Sequence, residues 1–484
     1  MTVEKAARAG AWSALDVLMR QAVNFVVLMI MARLLTPADF GIVALVSFFA
    51  GISIVFVQGG LSQALIQRQQ TTREEESAVF WWNLGGSALF AGFLILISPW
   101  VAAFYGYPII QPLMIVAAAQ IMFAALGAVQ TALLTRALRF DRLTISGAVA
   151  SVCSGAIGIG AALAGWGLWA LAFQLASLAL ISSLVLWFVC DWRPVLHFRF
   201  STIRSMFGFG IYLSLSSALD VLYTQGFALI IGKLHGVSDL GLYNRAHSTQ
   251  ALPSNILSSM VARTAFPLFS TRSEDDAALR RGVRMANSLA MIVNLPAMLG
   301  LAMLSDLVIV SLFGPQWRGS APLLAILAIG GILLPLHVIN LQVLLARAQS
   351  RRFFQLELIK KAVGLAFVLV GSIFGVTGLA WSMVLFGFVA LPINASPVKE
   401  AIGYGPAAQL WDLRGLLLPA AAMCAAVLSL RPVLAFPEPV SLALLAAAGA
   451  AVYGLAGLVL RSANFGEAQA IAFSLVRRRT GRAD

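Results

Sequence analysis

From about residue 11 to residue 461 the chain alternates long apolar runs with short polar breaks, and the length of the runs decides their structure. Crossing the hydrocarbon core of a bilayer takes about 20 helical residues at about 1.5 Å each. Runs of that order recur near 11–34, 41–66, 78–104, 109–134, 143–164, 168–190, 207–232, 241–266, 285–312, 320–346, 358–375, 378–396, 413–431 and 440–461, which predicts fourteen membrane-spanning helices. A soluble protein with a large core would need amphipathic helices, whereas Ile42 to Val57 and Ala362 to Ile373 carry no charged side chain. The longest breaks, about 191–206, 267–284 and 397–412, are too short to fold alone.

Composition agrees with an all-α polytopic membrane protein. Hydrophobic residues make up 60% of the 484 and charged residues 11%, with a mean hydropathy of +0.89, against about 25% charge in an ordinary soluble domain. Numbering the breaks alternately places 27 of the 33 Lys and Arg on one side, from Lys5 and Arg8 to the Arg477–Arg479 run. The others are Arg20 inside the first helix and Arg33, Lys233, Arg245, Arg318 and Arg431 at opposite ends. Cytoplasmic segments collect Lys and Arg, so that side is cytoplasmic and both termini lie on it. The net charge of +13 thus orients the chain and meets anionic lipid, and its dispersal over eight segments argues against nucleic acid. A cleavable signal is not expected, because the first apolar stretch is long and Asp16 and Arg20 interrupt it. Cys153, Cys190 and Cys424 form no pair with disulfide or metal spacing. Without GxxxxGK[ST], HExxH or GxSxG, no ATP hydrolysis, catalytic residue or cofactor is expected.

The apolar pattern is written twice. SALDVLMRQ at Ser13–Gln21 returns as SALDVLYTQ at Ser217–Gln225, LLTRA at Leu133 as LLARA at Leu344, and GWGLWA at Gly165 as GVTGLAW at Gly375, each shifted by roughly 200 to 210 residues. Three echoes in one order at a nearly constant shift divide the chain into a six-helix lobe at 1–206, a second at 207–400, and a terminal helix pair with a basic tail at 401–484. Repeated halves with polar groups at mid-membrane are how many transporters are built.

Those polar groups are the candidate site. An ionised side chain near a helix centre costs about 2.5 to 3.5 kcal/mol on insertion scales, so it faces a partner or a wet cavity. Asp16, Arg20 and Asn24 stack on one face of the first helix at i, i+4 and i+8. Either Asp16 and Arg20 neutralise one another and aid packing, or this face lines a cavity where Arg20 meets an anionic headgroup that Asp16 orients. Asp220 repeats Asp16, but Thr224 stands where Arg20 would recur, so Asp220 is the first candidate for ion coupling and Asp16 the second. Gln58, Gln63, Asn83, Tyr223, Gln225 and Asn255 complete the candidate cavity lining. Gln120, Gln130, Asn287, Asn294, His337 and Asn340 are weaker candidates, since amides and imidazoles also join membrane helices.

ARLLTPADFG at Ala32–Gly41, LRFDRL at Leu138, LGLYNRA at Leu240, AFPLFS at Ala265, LFGPQW at Leu312 and LELIKK at Leu356 resemble the motifs of bacterial polysaccharide-repeat-unit flippases, particularly the colanic-acid-exporter-like branch. The resemblance runs from about residue 5 to 400. The superfamily also holds multidrug and toxin extrusion proteins and the peptidoglycan-precursor flippase. It implies two six-helix bundles in a V around a central cavity, with two extra C-terminal helices lining a groove for a lipid tail. It implies an undecaprenyl-pyrophosphate oligosaccharide as substrate, carried from the cytoplasmic to the periplasmic leaflet of the inner membrane without bond chemistry. A polysaccharide polymerase and co-polymerase are the implied partners. Two alternatives stand beside it. A multidrug or cation antiporter of the same superfamily would favour a cavity dominated by acidic residues. A membrane glycan polymerase or ligase would need a large outer loop.

Overall fold

The computed structural model describes residues 21–460 except 69, 70, 197–199, 272, 273, 348 and 435, together with 464–466 and 469. The described secondary structure is helical: α1 (Gln21–Leu34), α2 (Pro37–Gln67), α3 (Arg73–Tyr105), α4 (Ile110–Arg136), α5 (Phe140–Leu163), α6 (Trp169–Val189), α7 (Phe200–Leu234), α8 (Val237–Ser270), α9 (Asp276–Met303), α10 (Ser305–Phe313), α11 (Ser320–Gly331), α12 (Leu334–Ala346), α13 (Ser350–Ile373), α14 (Gly375–Ile402), α15 (Pro406–Asp412), α16 (Leu417–Leu430) and α17 (Glu438–Val459). Among the described residues, nine helical segments are long and apolar enough to cross a membrane.

Helix starts follow local chemistry. In TPAD, Pro37 occupies the first turn, where its missing N–H costs nothing. The Asp39 amide donates to Thr36 Oγ1 at 3.3 Å while the Thr36 amide donates to Asp39 Oδ2 at 2.9 Å, a reciprocal cap. Thr72 and Glu75 repeat the device at the head of α3. At the far end of α3, Gly106 closes the helix at φ 78°, a conformation that disfavours side chains.

Two apolar runs that read as single spans are broken helices. The run 320–346 divides into α11 and α12 because Pro335 has no N–H for the Gly331 carbonyl. The side-chain amide of Asn294 fills that need from α9, donating to Gly331 O at 3.0 Å and to Ile332 O at 2.9 Å. The run 285–312 likewise bends at Leu304 between α9 and α10. In α3 the carbonyl orphaned by Pro99 is that of Ile95, and Ser98 Oγ donates to it at 2.8 Å.

The chain forms two compact units that divide between Gly241 and Leu242. In the first, α4 is a central post: Leu113, Met114, Ile121 and Val129 are all buried. Lipid is as apolar as leucine, so close packing replaces hydrophobic burial as the adhesive between such helices. Gly127 shows how: an added Cβ would stand 2.7 Å from Ser183 Oγ of α6, and that hydroxyl donates to Phe123 O at 2.5 Å. The unit boundary falls beyond the repeat boundary near 206 because α7 packs along α2 and α3. In the second unit, Phe269, Leu279, Val283, Ile339, Val343 and Val398 join α8, α9, α12 and α14 in one core. A second core carries α16 and α17 on α9 through Met291, Leu295, Leu416, Met423 and Tyr453.

Candidate functional site

Asp16 and Arg20 lie outside the described residues, and so does the side chain of Gln58. Asn24 is exposed on α1 and Gln63 near the end of α2. Asn83 is buried in α3, where its amide donates to Ser62 Oγ of α2 at 3.4 Å and its Oδ1 meets no partner. Asp220 is exposed on α7, and the Thr224 hydroxyl donates to its backbone carbonyl at 2.7 Å. Tyr223 lies edge-on to Phe227 at 5.8 Å. Gln225 is exposed, yet its amide comes within 3.5 Å of the position a Cβ on Gly51 would take. Asn255 is exposed on α8 of the second unit. The fold thus brings Asn83 and Gln225 against α2. A small void of about 20 Å³ between α2, α4 and α6 takes Ser47 and Gln120 into its lining, room for one water.

The end of the first unit where α3 begins and α4 finishes holds a tight ionic ring. Arg136 of α4 donates to Glu76 Oε1 at 2.9 Å and to Thr71 Oγ1, and the Thr71 hydroxyl donates to the same carboxylate oxygen at 2.6 Å. Glu76 is 6% exposed. Beside it, the connection leaving α6 is stitched to one face of α3. Arg73 Nε donates to Arg193 O at 3.1 Å, the Val195 amide to Ser77 Oγ at 3.0 Å, and Trp81 Nε1 to Val195 O at 2.9 Å. Arg73, Ser77 and Trp81 share that face through their i, i+4, i+8 spacing.

In the second unit, α9 and α10 face α16 and α17 across an apolar groove of about 410 Å³. Pro296, Gly300, Leu304, Val427, Ala446 and Tyr453 are among its walls. The lining spans the half of the helices where α9 ends and α17 begins. At the other end Tyr453 packs on Phe465 with ring centroids 5.5 Å apart. Such a volume falls within the roughly 300 to 1,000 Å³ of ordinary ligand pockets.

Polar chemistry in this unit gathers at the opposite end of α9. Asn340 and Gln409 exchange amide hydrogen bonds at 3.0 and 2.8 Å, both fully buried. The Tyr404 hydroxyl donates to Asp412 Oδ2 at 3.0 Å, and Arg284 pairs with the same carboxylate at 3.2 Å. Burial first and the Asp412 charge second raise the pKa of that hydroxyl. Further along, Arg245 of α8 is 3% exposed and its guanidinium lies 4.7 Å from the ring centres of both Phe313 and Trp317. Two aromatic faces replace part of its hydration.

Sequence reading named Asn340 only as a weaker candidate and missed the others for identifiable reasons. Glu76 sits in an EEE run that looks solvated, and its partner lies 60 positions on. Arg245 belongs to one quoted motif and Phe313 and Trp317 to another, but nothing local says they touch.

The chain can be set beside known proteins. A model of the family described as polysaccharide biosynthesis protein matches residues 30–322. The teichuronic acid biosynthesis protein TuaB of Bacillus subtilis is 29% identical over 296 residues, 60% of this chain and 61% of that one. The succinoglycan biosynthesis transport protein ExoT of Rhizobium meliloti is 27% identical over 325 residues, 67% and 66% of the two chains. The lipopolysaccharide biosynthesis protein WzxC of Escherichia coli is 24% identical over 382 residues, 76% and 75%. The match therefore spans less than two thirds of the length of the first two relatives. Among solved structures, the lipid II flippase MurJ in an inward closed conformation aligns with a TM-score of 0.75 at 13% identity, over 93% of this chain and 99% of that one. An inward-facing multidrug resistance transporter of the MATE family follows at 0.60 and 16%, over 81% and 93%. At these identities the likeness is one of fold.

Proposed function

The chain belongs to the polysaccharide biosynthesis protein family, and on that footing we propose that it is a flippase moving undecaprenyl-pyrophosphate-linked oligosaccharide repeat units across the bacterial inner membrane, for assembly of a cell-surface polysaccharide. The observation that carries the lipid-linked part is the apolar groove of about 410 Å³ on the α16–α17 wall. A free sugar has no use for such a surface, whereas a polyprenyl chain does. Relatives named for teichuronic acid, succinoglycan and lipopolysaccharide synthesis support polysaccharide precursors as the cargo.

In this reading Arg20 engages the pyrophosphate by paired, charge-assisted hydrogen bonds. Asp16 orients Arg20, while Asn24, Gln58, Gln63, Asn83, Tyr223, Gln225 and Asn255 offer hydrogen bonds to sugar hydroxyls. Asp220 is the ion-coupling carboxylate. Translocation makes and breaks no bond, so the protein needs differential affinity between two states and no catalytic group. A polysaccharide polymerase and co-polymerase would take the product.

The test uses proteoliposomes loaded with an undecaprenyl-pyrophosphate oligosaccharide and a lectin that reads the outer leaflet. Wild type should expose the sugar faster than protein-free vesicles. Arg20→Ala and the groove-filling Ala446→Phe should each lower the rate at least tenfold with normal membrane insertion. A wild-type rate equal to that of empty vesicles would refute the proposal.

A further inference from the structure

The N-terminal turns of α2 and α8 meet through two glycines, and the meeting is reciprocal. A Cβ on Gly41 would stand 1.8 Å from the carbonyl oxygen of Val237. One on Gly241 would stand 1.9 Å from the carbonyl oxygen of Pro37. Ordinary van der Waals contact begins at 3.4 Å, and no other described glycine would bring a Cβ this close to a backbone atom. All four residues lie in the first compact unit.

The two turns are also sequence mates. Pro37-Ala-Asp-Phe-Gly41 and Val237-Ser-Asp-Leu-Gly241 carry the aspartate, the apolar residue and the glycine in the same order, at roughly the shift of the SALDV echo. Each contacting carbonyl is the one four residues before its own helix's glycine. The two copies of one element thus touch at equivalent atoms, and the repeated halves of a transporter move against one another during alternating access.

We propose that Gly41 and Gly241 form a backbone latch that brings the starts of α2 and α8 together in one state of transport and releases them in the other. The nearest atoms are backbone on backbone, so parting requires no side chain to leave a packed hole. Weak Cα–H···O contacts hold well when aligned and separate cheaply. A static crossing of small residues would share the close approach but would not need to open. The latch rests on the transporter reading and not on the identity of the cargo.

Distance measurement separates these cases without any substrate. With Cys153, Cys190 and Cys424 changed to serine, nitroxides at Leu34→Cys and Leu234→Cys flank the two turns on exposed positions. Pulsed dipolar spectra of the wild type should show two distance populations, the shorter of which Gly41→Ala and Gly241→Ala both remove, whereas a single short population is the static crossing and overturns the latch. Gly85→Ala and Gly92→Ala, whose Cβ atoms would meet nothing within 4 Å, should leave it unchanged. Alanine is the better helix former, so loss at 41 or 241 cannot be blamed on propensity.

Export in a transporter-null strain should fall at least tenfold in either latch variant, and the double variant should be no worse than the worse single one. Two glycines acting as one contact are non-additive by construction. An unchanged distance distribution, or a double variant whose loss equals the product of the singles, overturns the latch. Should an alanine variant fail to reach the membrane, a cleavable bis-maleimide between the Leu34→Cys and Leu234→Cys sites gives a second measure. Export should stop on crosslinking and return on cleavage, and export that survives crosslinking overturns the latch. A latch that passes the distance test in a protein that does not flip lipid-linked oligosaccharide would overturn only the cargo.

Discussion

Replacing Arg136 with leucine strips a buried carboxylate of its cation. In the wild type Glu76 has 8% of its side chain exposed and Arg136 24%, with 2.9 Å between them. Removing one partner of a buried pair costs about 3 to 5 kcal/mol, because the remaining charge stays desolvated. Arg136 keeps some access to water, which screens the pair and points to the lower end, about 3 kcal/mol. For a unit of this size each kcal/mol moves the melting temperature by about 2 to 4 °C, so Arg136→Leu should melt roughly 6 to 12 °C below wild type. Glu76→Gln should cost about 1 kcal/mol, since the cation left behind reaches solvent and the amide still accepts from Thr71. The double variant Glu76→Leu, Arg136→Leu should be more stable than Arg136→Leu alone, because no buried charge remains. Intrinsic fluorescence during heating of the detergent-solubilised protein is the assay, and Trp81, Trp187 and Trp192 pack against the core at this end of α3. A melting point for Arg136→Leu within about 2 °C of wild type, or a double variant that melts at or below Arg136→Leu, would refute the reasoning.

Two further outcomes are expected. Asp220→Asn keeps the side-chain shape but fixes the neutral form. In proteoliposomes it should flip lipid-linked oligosaccharide at one rate with or without a pH gradient, and a wild type that ignores both proton and sodium gradients removes Asp220 from coupling. Reporter fusions after Arg142, Arg204, Arg284, Lys361 and Arg479 should report cytoplasm and those after Asp39, Tyr107 and Gly319 periplasm. A periplasmic signal at Arg284 breaks the topology.

What could be read from the chain alone was whatever a local pattern encodes. The TPAD and TREE starts of α2 and α3 announce their caps, and apolar length announces membrane helices. The breaks at Pro335 and Leu304 were hidden because hydropathy averages over them. The Glu76–Arg136 ring, the Asn340–Gln409 exchange and the Arg245 clamp join positions 60 to 72 apart in sequence, and no window sees such distances. The PADFG and VSDLG turns share one pattern that went unread, and the meeting of Gly41 with Gly241 is steric and exists only in the folded chain. The expected site residues are differently placed: intramembrane charge made them visible, while Asp16 and Arg20 fall outside the described residues.

The stitched connection after α6 changes what the join between the two sequence repeats is mechanically. A linker is usually a slack tether whose ends wander independently. Here Arg193 and Val195 are bound to the Arg73, Ser77 and Trp81 face of α3, so the last of these contacts stands five positions before α7 begins at Phe200. A short lead transmits displacement where a long one absorbs it. Lengthening the chain just before Phe200 would therefore add slack to this lead without breaking one of these bonds, and leave the direct packing of α7 on α2 and α3 to carry the displacement alone.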